Sequence, residues 1–253
     1  MIWNLQPTIS RISDHSSSYE EFLEFKIWRR SGARLSGSAP LSAKKTDEMK
    51  VLLLNGSPHR EGNTYLALHE VAGALQEEGI ETIEEWIGTK AVQGCIACYK
   101  CYELGRCVFH DDLYERLFAL LPEIDGIVIG SPTYYAGPNG SLCAILDRLF
   151  YSGGRYLAYK PGAAVAVARR GGASSTFERL NKYFTILNMP QVPSQYWNMA
   201  YGREPGEVLK DGEGMQTMRT LGRNMAWLLK KLHASEPVHP EPSEARIATN
   251  FIR

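Results

Sequence analysis

Long apolar runs are missing from this chain of 253 residues. No stretch approaches the ~18 residues expected of a membrane span, and nothing in it reads as a secretory signal. Charge of one sign is missing as well. Lysine and arginine number 28, and aspartate and glutamate also number 28, a balance that gives no support for nucleic acid or an acidic membrane surface as the main partner. The reading therefore expects a cytoplasmic protein with neither nucleic acid nor membrane among its partners. Cysteine is scarce, at five residues, and in a reducing compartment clustered cysteines bind metal more often than they form disulfides. No Ser-His-Asp or Cys-His arrangement calls for a side-chain nucleophile, so no catalytic residue is assigned.

Four of those five cysteines fall within thirteen residues: Cys95, Cys98, Cys101 and Cys107, spaced C-x2-C-x2-C-x5-C in GCIACYKCYELGRC. Thiolates so close in sequence can converge on one centre if the loop wraps around it. Soft ligands of this kind select an iron–sulfur cluster or zinc over hard cations. A C-x2-C-x2-C start with a fourth cysteine nearby suits cuboidal iron–sulfur ligation. The residues alone leave open a cluster, zinc, reduced thiols and a disulfide. Cys143, in the helical pattern SLCAILDRLF, reads as a small buried apolar residue. Asp111 and Asp112 read as a helix N-cap with an acidic first turn, and His110 as structural or solvated.

The chain divides into a head, a body and a tail. Residues 1–48 are serine-rich with mixed charge, and only Glu20 to Trp28 has the makings of a short helix. The head reads as a disordered extension, with translation starting at Met49 as the sharper expectation. Three prolines, Pro237, Pro240 and Pro242, mark residues 236–253 as a flexible tail. The body, 49–235, alternates strand and helix signals. Strands are expected at Lys50 to Leu54, Glu81 to Ile87, Gly126 to Ile129, Ala163 to Ala168 and Gln191 to Trp197. Helices are expected at Asn63 to Glu78 (capped by Asn63 or Thr64), Asp111 to Leu121, Pro138 to Tyr151, Ser174 to Leu187 and Gly214 to Leu232. Such alternation predicts an α/β fold with a doubly wound five-stranded parallel sheet and helices on both faces. The cysteine run is an insertion at 92–110. Ligands of such sheets bind at the carboxyl ends of the strands, and the remaining motifs fall there.

The first strand runs into NGSPHREGNT, Asn55 to Thr64. Small residues let this backbone curl, a helix N-terminus offers free N–H groups, and Ser57, Asn63 and Thr64 add hydrogen-bonding side chains. That is a phosphate site. It lacks both G-x-x-x-x-G-K-S/T and G-x-G-x-x-G, so it suits a monophosphate. After the third strand comes GSPTYYAGPNG, Gly130 to Gly140, whose adjacent tyrosines and rigid proline make a platform for a planar aromatic ring. The loop after the fourth strand, Arg169 to Ala173, carries Gly171 and Gly172, which permit close approach of backbone to a ligand.

Together these segments resemble the NADPH-dependent FMN reductase family of flavodoxin-like proteins, and within it the iron–sulfur flavoproteins. The resemblance rests on NGSP…GNT (Asn55 to Thr64), GCIACYKC…GRC…DD (Gly94 to Asp112), SPTYYAGPNG (Ser131 to Gly140) and the LDR that follows (Leu146 to Arg148), in family order over roughly 49–235. It implies that Ser57, Asn63 and Thr64 hold the FMN phosphate and that Pro132, Thr133, Tyr134, Tyr135 and Gly137 border the isoalloxazine. Gly171 and Gly172 would close over the flavin. His59 stands where the family usually has arginine, with Arg60 next to it as the substitute. By the same resemblance the four cysteines ligate a 4Fe–4S cluster, and the chain assembles as a homo-oligomer, dimer or tetramer. The implied activity is an oxidoreductase taking electrons from NAD(P)H or a reduced ferredoxin and passing them to a small-molecule acceptor such as a quinone or flavin. An electron carrier without its own substrate, and a zinc-stapled binding module without flavin, are the alternatives.

Overall fold

The computed structural model describes residues 48–234. The expected head, including its short helix, and the tail from 236 lie outside the described residues. Five parallel strands form the sheet: β1 (Lys50–Asn55), β2 (Glu81–Trp86), β3 (Gly126–Tyr134), β5 (Gly162–Ala168) and β6 (Met199–Tyr201). A two-residue strand, β4 (Gly137–Pro138), pairs antiparallel with the end of β3. The helices are α1 (Asn63–Glu77), α2 (Cys101–Leu104), α3 (Asp112–Leu120), α4 (Gly140–Leu157), α5 (Ala173–Thr185) and α6 (Gly212–His233), with a 3-10 turn at Glu207–Lys210 before the last.

The parallel strands lie in the order β2-β1-β3-β5-β6. From β1 the chain crosses one way to β2 and then returns past β1 to β3, so the winding direction reverses between β1 and β3. In doubly wound sheets a crevice opens at that reversal, outside the carboxyl ends of the two strands. β1 reads KVLLLN because it is covered on both faces, which removes the polar alternation of a half-exposed strand. Val51 and Leu53 face α1 and α6 with Leu68, Val71, Leu75, Met218, Leu221 and Met225. Leu52 and Leu54 face α3, α4 and α5 with Leu117, Ile145, Leu149 and Phe184.

Three expectations shift. The fifth strand is not Gln191 to Trp197 but β6, because Pro190 and Pro193 interrupt pairing there. Gln191 makes only a single bridge to Gly162, and continuous pairing with β5 begins at Ala166↔Met199. The second loop contains a hairpin, β3 to β4, and α4 starts after it at Gly140 rather than at Pro138. Neither Asn63 nor Thr64 caps α1. The cap is Gly62, which has no side chain to make a capping hydrogen bond, while Asn63 donates to Glu204 O at 3.0 Å and accepts Val208 N–H at 3.3 Å.

Candidate functional site

The loop after β1 is shaped by Asn55, which is buried at the strand end. Its Oδ1 accepts Ser57 N–H at 3.0 Å and its Nδ2 donates to Arg60 O at 3.0 Å. Gly56 lets the loop meet the next one: its N–H donates to Gly130 O at 2.8 Å, and a Cβ there would stand 2.7 Å from the same oxygen. Ser57 is buried, and its hydroxyl accepts His59 N–H at 3.1 Å. Trp86 Nε1 at the end of β2 donates to Ser57 O at 2.7 Å and pins the loop from the side. The first-turn N–H groups of α1 carry no side-chain cap, leaving an electropositive helix end aimed at this loop. Thr64 is buried inside that first turn. His59 and Arg60 are exposed at the rim, with the Arg60 guanidinium 5.8 Å from the Trp86 ring centre.

Across the switch point, Ser131 is wholly buried and accepts Asn139 N–H at 3.0 Å, while Asn139 Oδ1 caps α4 through Ser141 N at 2.8 Å. Between them, Tyr135 and Ala136 both have positive φ, 49° and 59°, the signature of a tight two-residue hairpin turn normally made by glycine or asparagine. Two ordinary side chains held there store strain. The turn presents Tyr134 half-exposed and Tyr135 fully exposed. Thr133 Oγ1 is buried with no hydrogen-bond partner among the described residues, an orphaned polar atom of the kind a ligand satisfies. Gly172, at φ +90°, packs against this turn, and a Cβ on it would come within 2.8 Å of Ala136 Cα. Gly171, by contrast, is exposed. The three loops expected to share a ligand thus converge, and the free helix end and the orphaned Thr133 hydroxyl suit a phosphate and an aromatic ring with polar edges.

The cysteine segment docks on α4. Arg148, Tyr151, Ser152 and Arg155 follow the i, i+3, i+4, i+7 spacing of one helix face, and all meet the loop. Cys95, Cys98, Cys101 and Cys107 line a single small concavity together with Ile96, Tyr99, Phe109, Arg148 and Tyr151. Cys95 and Cys98 are exposed, Cys101 half-buried and Cys107 buried; all are free thiols. Burial pushes the Cys101 thiol up, with the neighbouring Cys95 and Cys98 adding to it. Among the described residues no group of three or more histidine, cysteine, aspartate or glutamate side chains is arranged to hold a metal ion. The four soft donors line one pocket, which fits such a group in chemistry, without being drawn together around a centre. Ala97 and Tyr99 have positive φ, 51° and 57°, so the exposed stretch bends sharply on either side of Cys98.

Sequence reading missed Arg148 as a site residue; it entered only within LDR. Its side chain is fully buried and paired with Asp111 at 2.6 Å. Burial works against its charge, but hydrogen bonds to Cys107 and Asp111 outweigh that and raise its pKa. The available signal was an arginine set among Leu142, Ile145, Leu146 and Leu149 on the apolar face of a helix. Asp111 does cap α3, as expected, accepting Tyr114 N–H at 3.0 Å. Cys143 is half-buried rather than buried. His110 sits exposed between Arg106 and Glu115.

A strand order of β2-β1-β3-β5-β6 with ligand loops at its reversal defines a flavodoxin-like α/β protein. The sequence profile of NADPH-dependent FMN reductases matches residues 49–204, and the chain belongs to that family, within the branch of the iron–sulfur flavoproteins. An iron–sulfur flavoprotein of Methanocaldococcus jannaschii is 37% identical over 190 residues, covering 72% of this chain and 98% of that one. An iron–sulfur flavoprotein of Archaeoglobus fulgidus is 29% identical over 191 residues, covering 75% and 84%. Among solved structures, RosB with a bound 8-demethyl-8-formylriboflavin-5′-phosphate intermediate superposes with a TM-score of 0.58 at 19% identity, covering 81% of this chain and 94% of that one. A flavone reductase gives 0.56 at 18% identity, covering 74% and 65%. At that identity the structures speak to the fold alone. The family makes the chain an FMN-dependent oxidoreductase. Among the described residues no helix is long and apolar enough to cross a membrane.

Proposed function

We propose that this chain binds FMN at the reversal of its sheet, accepts electrons from NAD(P)H or a reduced ferredoxin, and passes them to a quinone, flavin or similar small molecule. The observation that carries the flavin site is the meeting of the β1, β3 and β5 loops around an uncapped helix end and an orphaned Thr133 hydroxyl. Ser57, Asn63 and Thr64 would hold the phosphate with the first-turn N–H groups of α1, and His59 and Arg60 at the rim would offset its charge. Pro132, Thr133, Tyr134, Tyr135 and Gly137 would border the ring, with Gly171 and Gly172 across from them. Bound FMN supplies the exchange of electrons between donor and acceptor, while the protein sets binding, orientation and access. Asn63 has a second task here, because it ties the segment 204–208 to the same helix end.

A 4Fe–4S cluster held by Cys95, Cys98, Cys101 and Cys107 belongs to the same proposal. Its support is four soft donors lining one pocket and the names of the relatives. An electron-carrier role is favoured by one observation. Ile96, Tyr99 and Tyr151 line the cysteine pocket and are exposed, with exposed Tyr102 packed on the two tyrosines, a surface suited to a protein partner or a second copy of this chain. Anaerobic purification followed by an absorption spectrum and flavin, iron and sulfide analysis tests the reading. Stoichiometric FMN with four irons per chain is expected, and Cys101→Ser should remove the broad cluster absorbance while sparing the flavin bands. A colourless protein containing zinc would sink both assignments. Steady-state NAD(P)H oxidation then separates enzyme from carrier: no turnover with any acceptor, alongside rapid reduction by ferredoxin, would favour the carrier.

A further inference from the structure

Arg148 is the one fully buried charged side chain among the described residues. A guanidinium taken out of water is costly unless its donors are matched, and here every nitrogen has a partner. Nε donates to Cys107 Sγ at 3.4 Å. Nη1 reaches Gln93 O at 3.3 Å and Asp111 Oδ2 at 2.6 Å, and Nη2 reaches Phe109 O at 2.9 Å. Those partners lie before the cysteine run, at its last cysteine, and just after it, so one side chain from α4 closes both ends of the loop. The cation also stands 4.7 Å from the Tyr114 ring centre and 5.7 Å from that of Phe109.

Cys107 is held a second time through its backbone. Its N–H donates to Tyr114 Oη at 2.8 Å, Tyr114 Oη and Ser152 Oγ share a hydrogen bond of 2.7 Å, and Ser152 Oγ donates to Arg148 O at 2.7 Å. The circuit Arg148–Cys107–Tyr114–Ser152 returns to the helix it left. No such support reaches Cys95, whose sulfur takes one long contact from Ala97 N–H at 3.5 Å on an exposed stretch. Cys107 is thus held through both side chain and backbone, whereas Cys95 is exposed and weakly held.

We infer that Arg148 is a positioning residue for the cysteine site: its fork anchors Cys107 and sets a permanent positive charge against that sulfur. The anchoring rests on the hydrogen bonds alone, whereas its redox consequence rests on the proposed cluster. Reduction adds negative charge to a centre ligated by Cys107, so a fixed cation and an N–H···S bond at that sulfur favour the reduced form and raise the potential. Asp111, on the far side of the guanidinium, opposes this.

The test compares the full chain, purified anaerobically with whatever it binds, with R148Q, R148K and D111N. Three quantities are read: FMN content, the cluster potential by a titration followed by electron paramagnetic resonance, and, after iron removal, alkylation of each cysteine by iodoacetamide. R148Q should lower the cluster potential and D111N should raise it, with FMN content unchanged in both. In R148Q and R148K, Cys107 alkylation should rise about tenfold, the factor equivalent to ~1.4 kcal/mol of lost anchoring, while Cys95 keeps its native rate. R148K retains the charge, so its potential should stay nearer the native value than that of R148Q. If circular dichroism shows R148Q unfolded, R148K and D111N decide by the same readouts. Unchanged Cys107 alkylation would overturn the anchoring, and potentials that stay put or move in one direction for R148Q and D111N would overturn the charge role. A native protein with FMN but no iron or sulfide sinks the cluster reading and leaves the alkylation test of Arg148 standing.

Discussion

At Gly172 the backbone sits at φ +90°, and a Cβ would press within 2.8 Å of Ala136 Cα and 3.1 Å of Thr133 Cγ2. Gly171 next to it has open space and no positive φ. The two were read from sequence as one pair that lets a ligand approach, yet only one of them is required by the packing of the protein itself. Gly172→Ala is expected to cost ~1–2 kcal/mol from the left-handed backbone before any clash is counted, which lowers Tm by about 2–8 °C for a domain of this size. It should also weaken flavin binding, since the displaced turn carries Thr133 and Tyr134. Gly171→Ala should leave both within error. Differential scanning calorimetry and a flavin fluorescence titration check the pair, and equal effects at the two positions would contradict the assignment. Residue type was legible where chemistry is local, as in the spacing of the cysteines or the serine and threonine of the first loop. It was not legible where a residue's role depends on a partner far along the chain: Arg148 meets Gln93, Cys107, Phe109 and Asp111 only because α4 folds beneath the insertion.

Among the elements, the central strands were readable because burial on both faces leaves a continuous apolar run such as KVLLL. The edge strand was not, since β6 has only three residues and the proline-bounded segment before it is limited to a single bridge at Gln191. The β3–β4 hairpin escaped for another reason. Its turn uses Tyr135 and Ala136 in place of the asparagine or glycine that would have announced it. The seam between α4 and α5 carries a testable consequence. Tyr183 is buried at 6% exposure and donates to Asp147 Oδ1 at 2.5 Å, with the Arg179 cation over its ring at 4.6 Å. Burial first, then the bond to Asp147, push the phenol well above its ordinary value despite Arg179. The unfolded chain releases that proton near pH 10 while the folded chain keeps it. The contribution is therefore fully present below pH 10 and is lost as pH rises above it, at up to ~1.4 kcal/mol per pH unit. Urea unfolding at pH 9 and pH 11.5 should show a flatter loss for Tyr183→Phe than for the native chain. Identical slopes would mean that Tyr183 titrates as an ordinary tyrosine.

For the whole molecule, the two proposed centres differ in how deeply they are tied to the fold. The flavin loops leave β1, β3 and β5, the strands at the middle of the sheet, and they are joined to one another through Gly56–Gly130 and Gly172–Ala136. The cysteine segment is an insertion between β2 and α3, resting on one face of α4. A ligand that binds only the folded chain stabilises it by RT ln(1 + [L]/Kd), which is ~2.7 kcal/mol at a hundred times Kd. On flavin-free, iron-free protein, FMN at that excess should raise Tm by about 5–10 °C. Cys95→Ser combined with Cys98→Ser should change Tm of the same preparation by less than about 2 °C, because both thiols are exposed and serine keeps the acceptor for Ala97 N–H. Arg148→Gln should fall between FMN removal and the serine pair, since it leaves acceptors unmatched in the cysteine segment and at the start of α3 without touching the sheet. If instead the serine pair lowered Tm as much as loss of FMN does, the insertion would be part of the folding core, and the division of labour between a sheet-borne flavin site and a peripheral thiol site would be wrong.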